Sequence, residues 1–94
     1  MSSTPIDCER TLAIKNKHGL HARPAAEFVK LATTFQADVA VRRDDLEVNG
    51  KSIMGMMMLG AEYGAEITIR ATGADAESAV RELSALIDRR FGED

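Results

Sequence analysis

Residues 17 to 26 read Lys-His-Gly-Leu-His-Ala-Arg-Pro-Ala-Ala, and they predict a histidine at the start of a helix. Gly19 permits an unusual backbone turn, and an apolar run at helical spacing begins at Ala22. The members of this run are Ala25, Phe28, Val29 and Ala32. His21 therefore falls at or near the N-cap. Pro24 falls in the first turn, where its missing N–H removes only a donor that has no intrahelical partner.

This stretch predicts an anion site. The imidazole of His21 would lie beside free backbone N–H groups and the positive end of a helix dipole, with the guanidinium of Arg23 two residues further on. Arginine adds a forked, charge-assisted contact to a phosphate. Because histidine can itself form a covalent intermediate, the combination favours a transiently phosphorylated histidine over an ordinary turn residue.

In two segments the sequence resembles the HPr family, the histidine-containing phosphocarriers of the bacterial phosphotransferase system. Residues 19–25 read Gly-Leu-His-Ala-Arg-Pro-Ala, and residues 49–55 read Asn-Gly-Lys-Ser-Ile-Met-Gly before a methionine-rich run. The resemblance implies that Nδ1 of His21 accepts a phosphoryl group from enzyme I and passes it to IIA-type acceptor proteins, while Arg23 stabilises the phosphate. The protein would then be a substrate of phosphotransferases rather than an enzyme.

The resemblance also implies a regulatory site and a docking surface. In part of the family the serine that matches Ser52 is phosphorylated by a dedicated kinase, and Ser52 is in any case a good N-cap. The sequence leaves open whether this kinase or a matching phosphorylase acts here. The surface that docks both enzyme I and the acceptors corresponds to Leu20, Ile53, Met54 and Met57.

Two alternatives for the function stay open. The sugar-uptake branch and the nitrogen-related regulatory branch of the phosphotransferase system both fit the sequence. A different class of function is a regulatory binding module with the HPr-like fold, which would control an enzyme or a transcription factor without relaying phosphate. Relatives of that kind lack the histidine, whereas His21 and Arg23 are both present here.

Composition sets the broad class. The chain has 94 residues, of which 45% are hydrophobic and 29% charged, as in an ordinary globular domain. We expect a flexible polar leader over residues 1–7 and a single HPr-like domain over residues 8–94. The net charge of −3 gives no reason to expect nucleic acid as a partner. No apolar run has the length of a membrane span, and the leader lacks the apolar middle of a signal peptide, so we expect a cytoplasmic protein, and a monomer.

Metal and cofactor chemistry is not expected. Cys8 is the only cysteine, so the chain can form neither an internal disulfide nor a thiolate cluster. His18 and His21 lack a third ligand at a suitable spacing, and no glycine-rich nucleotide loop is present. The acidic residues, including the tail Glu93-Asp94, are predicted to form a solvated surface.

Hydrophobic periodicity predicts the element order βαββαβα and an α+β fold. Strands are predicted from Glu9 to Lys15 and around residues 39–42, 46–48 and 67–71. A short helix should run from Ser52 to about Leu59, and the last helix should begin near Asp75, which is either its N-cap or the third position of a capping box opened by Thr72. The HPr resemblance implies an open-faced β-sandwich, with a four-stranded antiparallel sheet and three helices on one face.

Overall fold

The computed structural model describes residues 7 to 93, which form four strands and three α-helices in the order βαββαβα. The strands are β1 (Asp7–Ala13), β2 (Asp38–Arg43), β3 (Leu46–Asn49) and β4 (Glu66–Thr72). The helices are α1 (Ala22–Ala32), α2 (Ile53–Met58) and α3 (Ala76–Asp88), and a 3₁₀ turn at Arg90–Gly92 follows them. The predicted α+β class and element order are confirmed.

The strands form one antiparallel sheet in the spatial order β1-β4-β2-β3. Buried residues alternate with exposed or half-buried ones in β2 and at the end of β1, and β4 is buried at Ile67, Thr68, Ile69 and Ala71, as expected for a sheet with one face against helices. On the covered face these residues are Leu12, Val39, Val41, Ile67, Ile69 and Ala71. The four-stranded antiparallel sheet is therefore confirmed.

The first strand lies slightly earlier in the chain than its alternation predicted. It begins at Asp7, whose carboxylate accepts a hydrogen bond of 2.6 Å from the Arg70 guanidinium across the sheet. It ends at Ala13 because Ile14 then leaves the regular ladder and pairs with Ala65 through a single N–H···O bond of 2.9 Å. Asp7, assigned to the leader from sequence, thus belongs to the sheet, and residues 1–6 of that leader lie outside the described residues.

Asp75 occupies the N-cap position of α3, but its side chain does not cap the helix. The carboxylate instead accepts hydrogen bonds from the backbone N–H groups of Gln36, at 2.9 Å, and Ala37, at 2.8 Å. The hydrogen bond from Gln36, with that from Ala37, holds the pKa of Asp75 below its usual value. Asp75 therefore ties the start of α3 to the loop before β2. Helix α3 ends at Asp88, and Arg90 lies beyond it in the 3₁₀ turn.

Helix α2 begins and ends as predicted. Ser52 is its N-cap, and the Ser52 hydroxyl accepts a hydrogen bond of 3.0 Å from the Gly55 N–H. Met56 and Leu59 point into the core, and the next residue, Gly60, has a left-handed φ of 58°. In the part of the chain that the structure describes, no helix is long and apolar enough to cross a membrane.

Candidate functional site

His21 lies at the N-cap of α1, as the sequence predicted. Its backbone is extended (φ −76°, ψ −174°), and its carbonyl accepts a hydrogen bond of 3.0 Å from the Ala25 N–H, which closes the first turn. The imidazole makes no capping hydrogen bond, and 42% of the side chain is exposed. The ring is therefore placed at the helix N-terminus and is accessible to a reacting group.

The loop before His21 is fixed by a close approach between two backbone segments. Gly19 has φ +69°, and a Cβ at this position would lie 2.5 Å from the carbonyl oxygen of Ala61. The neighbouring Leu20 N–H donates a hydrogen bond of 2.8 Å to that same oxygen. Only glycine fits both the left-handed conformation and the contact, so Gly19 sets the position of the loop that carries His21.

The donors available to an anion come from the first turn of α1. The N–H groups of Ala22 and Arg23 have no partner within the helix, and the buried Pro24 has no N–H to offer. The exposed side chain of Arg23 lines an open cleft of about 480 Å³. The other residues that line this cleft are Lys17, His18, Gly92 and Glu93. The backbone thus places His21 at the N-cap of α1 and Arg23 in its first turn, whereas His21 itself does not line this cleft.

Sequence reasoning missed Glu93, which it assigned to a solvated acidic surface. The Glu93 carboxylate contacts Nε2 of His21, at 3.2 Å from Oε1 and 3.1 Å from Oε2, and only 15% of the Glu93 side chain is exposed. Its Oε1 also accepts a hydrogen bond of 3.0 Å from Nδ2 of Asn16. Desolvation raises the pKa of Glu93, but the hydrogen bonds from His21 and Asn16 lower it by more, so the carboxylate is ionised at neutral pH.

A turn after α3 brings Glu93 to the histidine. Arg90 and Phe91 both have left-handed backbone conformations, with φ of 57° and 55°, which are uncommon for residues other than glycine. The Phe91 side chain is buried in the core and anchors this turn. An apolar residue so close to a charged tail was the one signal in the sequence that could have predicted a folded tail.

The contact with Glu93 determines which ring nitrogen of His21 is free. An ionised carboxylate can only accept hydrogen bonds, so Nε2 must carry the hydrogen. In the neutral ring Nδ1 is then unprotonated, and its lone pair is available as a nucleophile or a ligand. The ring of His18 lies edge-on to that of His21, with 6.2 Å between the centroids. Within residues 7–93 no group of three or more His, Cys, Asp or Glu side chains could hold a metal ion.

The predicted docking residues fall into two groups. Ile53, Met54 and Met57 are exposed on α2, and Met54 is the most accessible, at 76%. Leu20 is only 5% exposed and belongs to the core cluster, because the Gly19 turn directs it inward. We therefore assign Leu20 to the core rather than to a docking surface.

Comparison with known proteins agrees with this geometry. Residues 8–89 match the family described as "PTS HPr component phosphorylation site". The chain is 46% identical over 85 residues to phosphocarrier protein HPr of Neisseria meningitidis, which covers 90% of this chain and 96% of the relative. It is 41% identical over 86 residues to phosphocarrier protein NPr of Proteus mirabilis, with 90% and 96% covered.

The fold is likewise that of solved structures from this family. The crystal structure of an HPr from Thermoanaerobacter tengcongensis matches with a TM-score of 0.89 and 48% sequence identity, over 93% of this chain and 98% of the other. The family match over residues 8–89 includes both the histidine loop and α2. The chain therefore belongs to the HPr family, whose members carry phosphoryl groups in the phosphotransferase system.

Proposed function

We propose that His21 is the residue on which this phosphocarrier holds the phosphoryl group, and that Nδ1 is the atom that binds it. The observation that carries this proposal is the contact between Glu93 and Nε2 of His21, at 3.1 and 3.2 Å, since it leaves Nδ1 as the unprotonated nitrogen of the neutral ring in the N-cap residue of α1. The phosphoryl donor is enzyme I of the phosphotransferase system, and the acceptors are IIA-type proteins.

The transfer needs no proton to move at Nδ1. As its lone pair forms the new N–P bond, the N–P bond to the histidine of enzyme I breaks, and that histidine takes back the electron pair. The hydrogen on Nε2 stays in place, and the Glu93 carboxylate compensates the positive charge that develops on the ring. In this proposal the N–H groups of Ala22 and Arg23, which have no partner within the helix, and the Arg23 guanidinium bind the phosphate oxygens. The protein's contribution is thus positioning and charge stabilisation.

Docking of both partners is assigned to the exposed apolar surface of α2, formed by Ile53, Met54 and Met57. Monomeric proteins rarely expose several large apolar side chains together unless they bind a partner, and methionine adapts its shape to different surfaces. Helix α2 also packs against α1, the helix that begins at His21. A single surface would then serve enzyme I and the IIA-type proteins in turn, and the two would compete for it.

Ser52 is proposed as a regulatory phosphorylation site. Its hydroxyl caps α2, so a phosphate there would lie at the start of the helix that carries the docking surface. The added charge would suit the helix dipole and would oppose an acidic partner at the adjacent surface. We further propose that the protein acts in the cytoplasm as a monomer. The retained His21 and Arg23 favour a phosphate carrier over a regulatory module that only docks.

Phosphorylation by purified enzyme I tests the assignment. With phosphoenolpyruvate and magnesium, the wild-type protein should gain one phosphate that is labile in acid and stable in base, detected by intact-protein mass spectrometry. His21→Ala should gain none, and Arg23→Ala should gain it more slowly. His18→Ala is the matched control, because it removes the neighbouring imidazole and should leave the phosphate in place. Phosphate on the His21→Ala protein would refute the assignment.

A further inference from the structure

Asn16 is a buried polar residue between the histidine loop and the C-terminal turn. Its side chain is fully buried, and its Nδ2 donates to the Gly19 carbonyl oxygen at 2.7 Å and to Oε1 of Glu93 at 3.0 Å. Both partners can only accept, so the amide nitrogen must face them and the oxygen is turned away. Within residues 7–93, Oδ1 of Asn16 has no hydrogen-bond partner.

An asparagine at this position has one cost and two specific contacts. Its unpaired buried acceptor is destabilising, and an apolar side chain of similar volume would avoid that cost. Such a side chain could make neither the hydrogen bond to the Gly19 carbonyl nor the charge-assisted hydrogen bond to Glu93. The first contact holds the loop before His21, and the second controls the carboxylate that contacts the imidazole.

The two hydrogen bonds of Asn16 join segments that are far apart in sequence. Gly19 lies in the turn that leads into His21, and this turn is closed by a hydrogen bond of 3.1 Å from the Gly19 N–H to the Asn16 carbonyl. Glu93 lies 77 residues after Asn16, and its backbone N–H bonds only locally, to the Arg90 carbonyl. Without the amide, the imidazole would be the only hydrogen-bond partner left to the carboxylate among residues 7–93.

We propose that Asn16 is a positioning residue for phosphotransfer at His21: its buried amide holds the Glu93 carboxylate against Nε2, and the carboxylate fixes the tautomer and orientation of the ring. This inference rests on the proposed function, because it gives Asn16 a role only if Nδ1 of His21 reacts. A residue that holds the partner of a reactive histidine commonly contributes through geometry rather than through contact with the substrate.

The test combines a ring-nitrogen spectrum with a rate measurement. In unphosphorylated protein labelled with ¹⁵N, the shifts of the two His21 nitrogens should report Nε2–H as the dominant neutral tautomer. Asn16→Leu should move them toward a mixture, and it should slow phosphorylation by enzyme I about tenfold. The far-UV circular dichroism spectrum should match that of the wild type. The thermal transition should fall, because leucine matches the volume and removes the unpaired acceptor but leaves the buried Gly19 carbonyl without its side-chain donor. Asn49→Leu is the matched control and should change neither readout.

A double-mutant cycle decides whether Asn16 acts through Glu93. Glu93→Ala should produce the same tautomer shift and a similar loss of rate, and adding Asn16→Leu to it should cost nothing further. Independent, multiplying losses would refute the proposal, as would wild-type spectra and rates in Asn16→Leu. If Asn16→Leu fails to fold, the link can be tested in Glu93→Ala through the NMR signals of the Asn16 side-chain NH₂ group. Loss of the Glu93 carboxylate should change their chemical shifts and speed their exchange with solvent. Shifts and exchange rates equal to those of the wild type would overturn the proposed link. The spectra need no phosphate transfer, so they stand even if wild-type protein is not phosphorylated.

Discussion

Replacing Met54 by glutamate should weaken binding to enzyme I without unfolding the protein. Met54 is 76% exposed, so a docked partner can still bury most of its side chain. Full burial of a methionine stabilises by roughly 1.5–3 kcal/mol, and three quarters of that leaves about 1–2 kcal/mol available to the interface. Glutamate loses this term, so the dissociation constant should rise between about 5-fold and 30-fold.

The measurement is a titration of each variant with enzyme I by calorimetry, followed by phosphorylation rates at low and saturating enzyme I. The Met54→Glu defect should be large at low concentration and should disappear at saturation, because the chemistry at His21 is untouched. The far-UV circular dichroism spectrum and the thermal transition should match those of the wild type, since an exposed side chain contributes little to the core.

Tyr63 and Met56 provide the controls. Tyr63→Glu introduces the same charge at an apolar position that is 67% exposed but lies outside α2, and it should leave the affinity nearly unchanged. Met56→Ala removes a fully buried side chain and should cost roughly 2–5 kcal/mol of stability. Wild-type affinity in Met54→Glu, or an equal loss in Tyr63→Glu, would refute the proposed docking surface. Loss of folding in Met54→Glu would mean that this side chain belongs to the core.

Two further predictions concern side chains at helix starts. Ser52→Ala should lower the free energy of unfolding by about 1 kcal/mol in urea titrations, because the hydrogen bond that caps α2 at Gly55 is lost. Ser52→Asp should keep the cap but slow phosphorylation by enzyme I. Equal phosphorylation rates for Ser52→Asp and wild type would leave Ser52 with a capping role only. Asp75→Asn should be less stable than wild type at pH 7. The folded-state pKa of Asp75 lies below the usual value of 3.8, so its stabilisation is present above that pH and is lost as the pH falls through the folded-state pKa. The urea midpoints of the two proteins should therefore converge only at a pH below 3.8.

The fold could be predicted because its signals are local. Alternating apolar residues marked every strand, and the spacing of Met56 and Leu59 separated the buried side of α2 from its exposed side. An advance of about 100° per residue places Met54 opposite that buried side, and Met54 is indeed the most exposed of the four. The helical periodicity of α2 therefore agrees with the exposure of its methionines.

What could not be predicted depends on contacts between distant parts of the chain. Glu93 reaches His21, 72 residues earlier, only because Arg90 and Phe91 adopt left-handed conformations, for which their residue types give no preference. Asp75 occupies a helix-capping position, yet its carboxylate bonds to a loop 38 and 39 residues away. Local sequence rules predicted the helix or strand in which each residue lies, but tertiary packing decided which partner each of these side chains contacts.

The open geometry of the histidine site suits a group that must be passed on. A carrier works only if its phosphorylated form lies between donor and acceptor in free energy, since phosphate held too tightly would not be released. Each added charge-assisted hydrogen bond to the phosphate would lower the free energy of the phosphorylated protein by roughly 1.5–3 kcal/mol, which shifts the transfer equilibrium at least tenfold. A side chain that is 42% exposed, with two backbone N–H groups and one arginine beside it, provides modest stabilisation. In the proposed mechanism the interaction with Glu93 acts on the ring rather than on the phosphate, so it would prepare Nδ1 for attack without adding another donor that would retain the phosphoryl group.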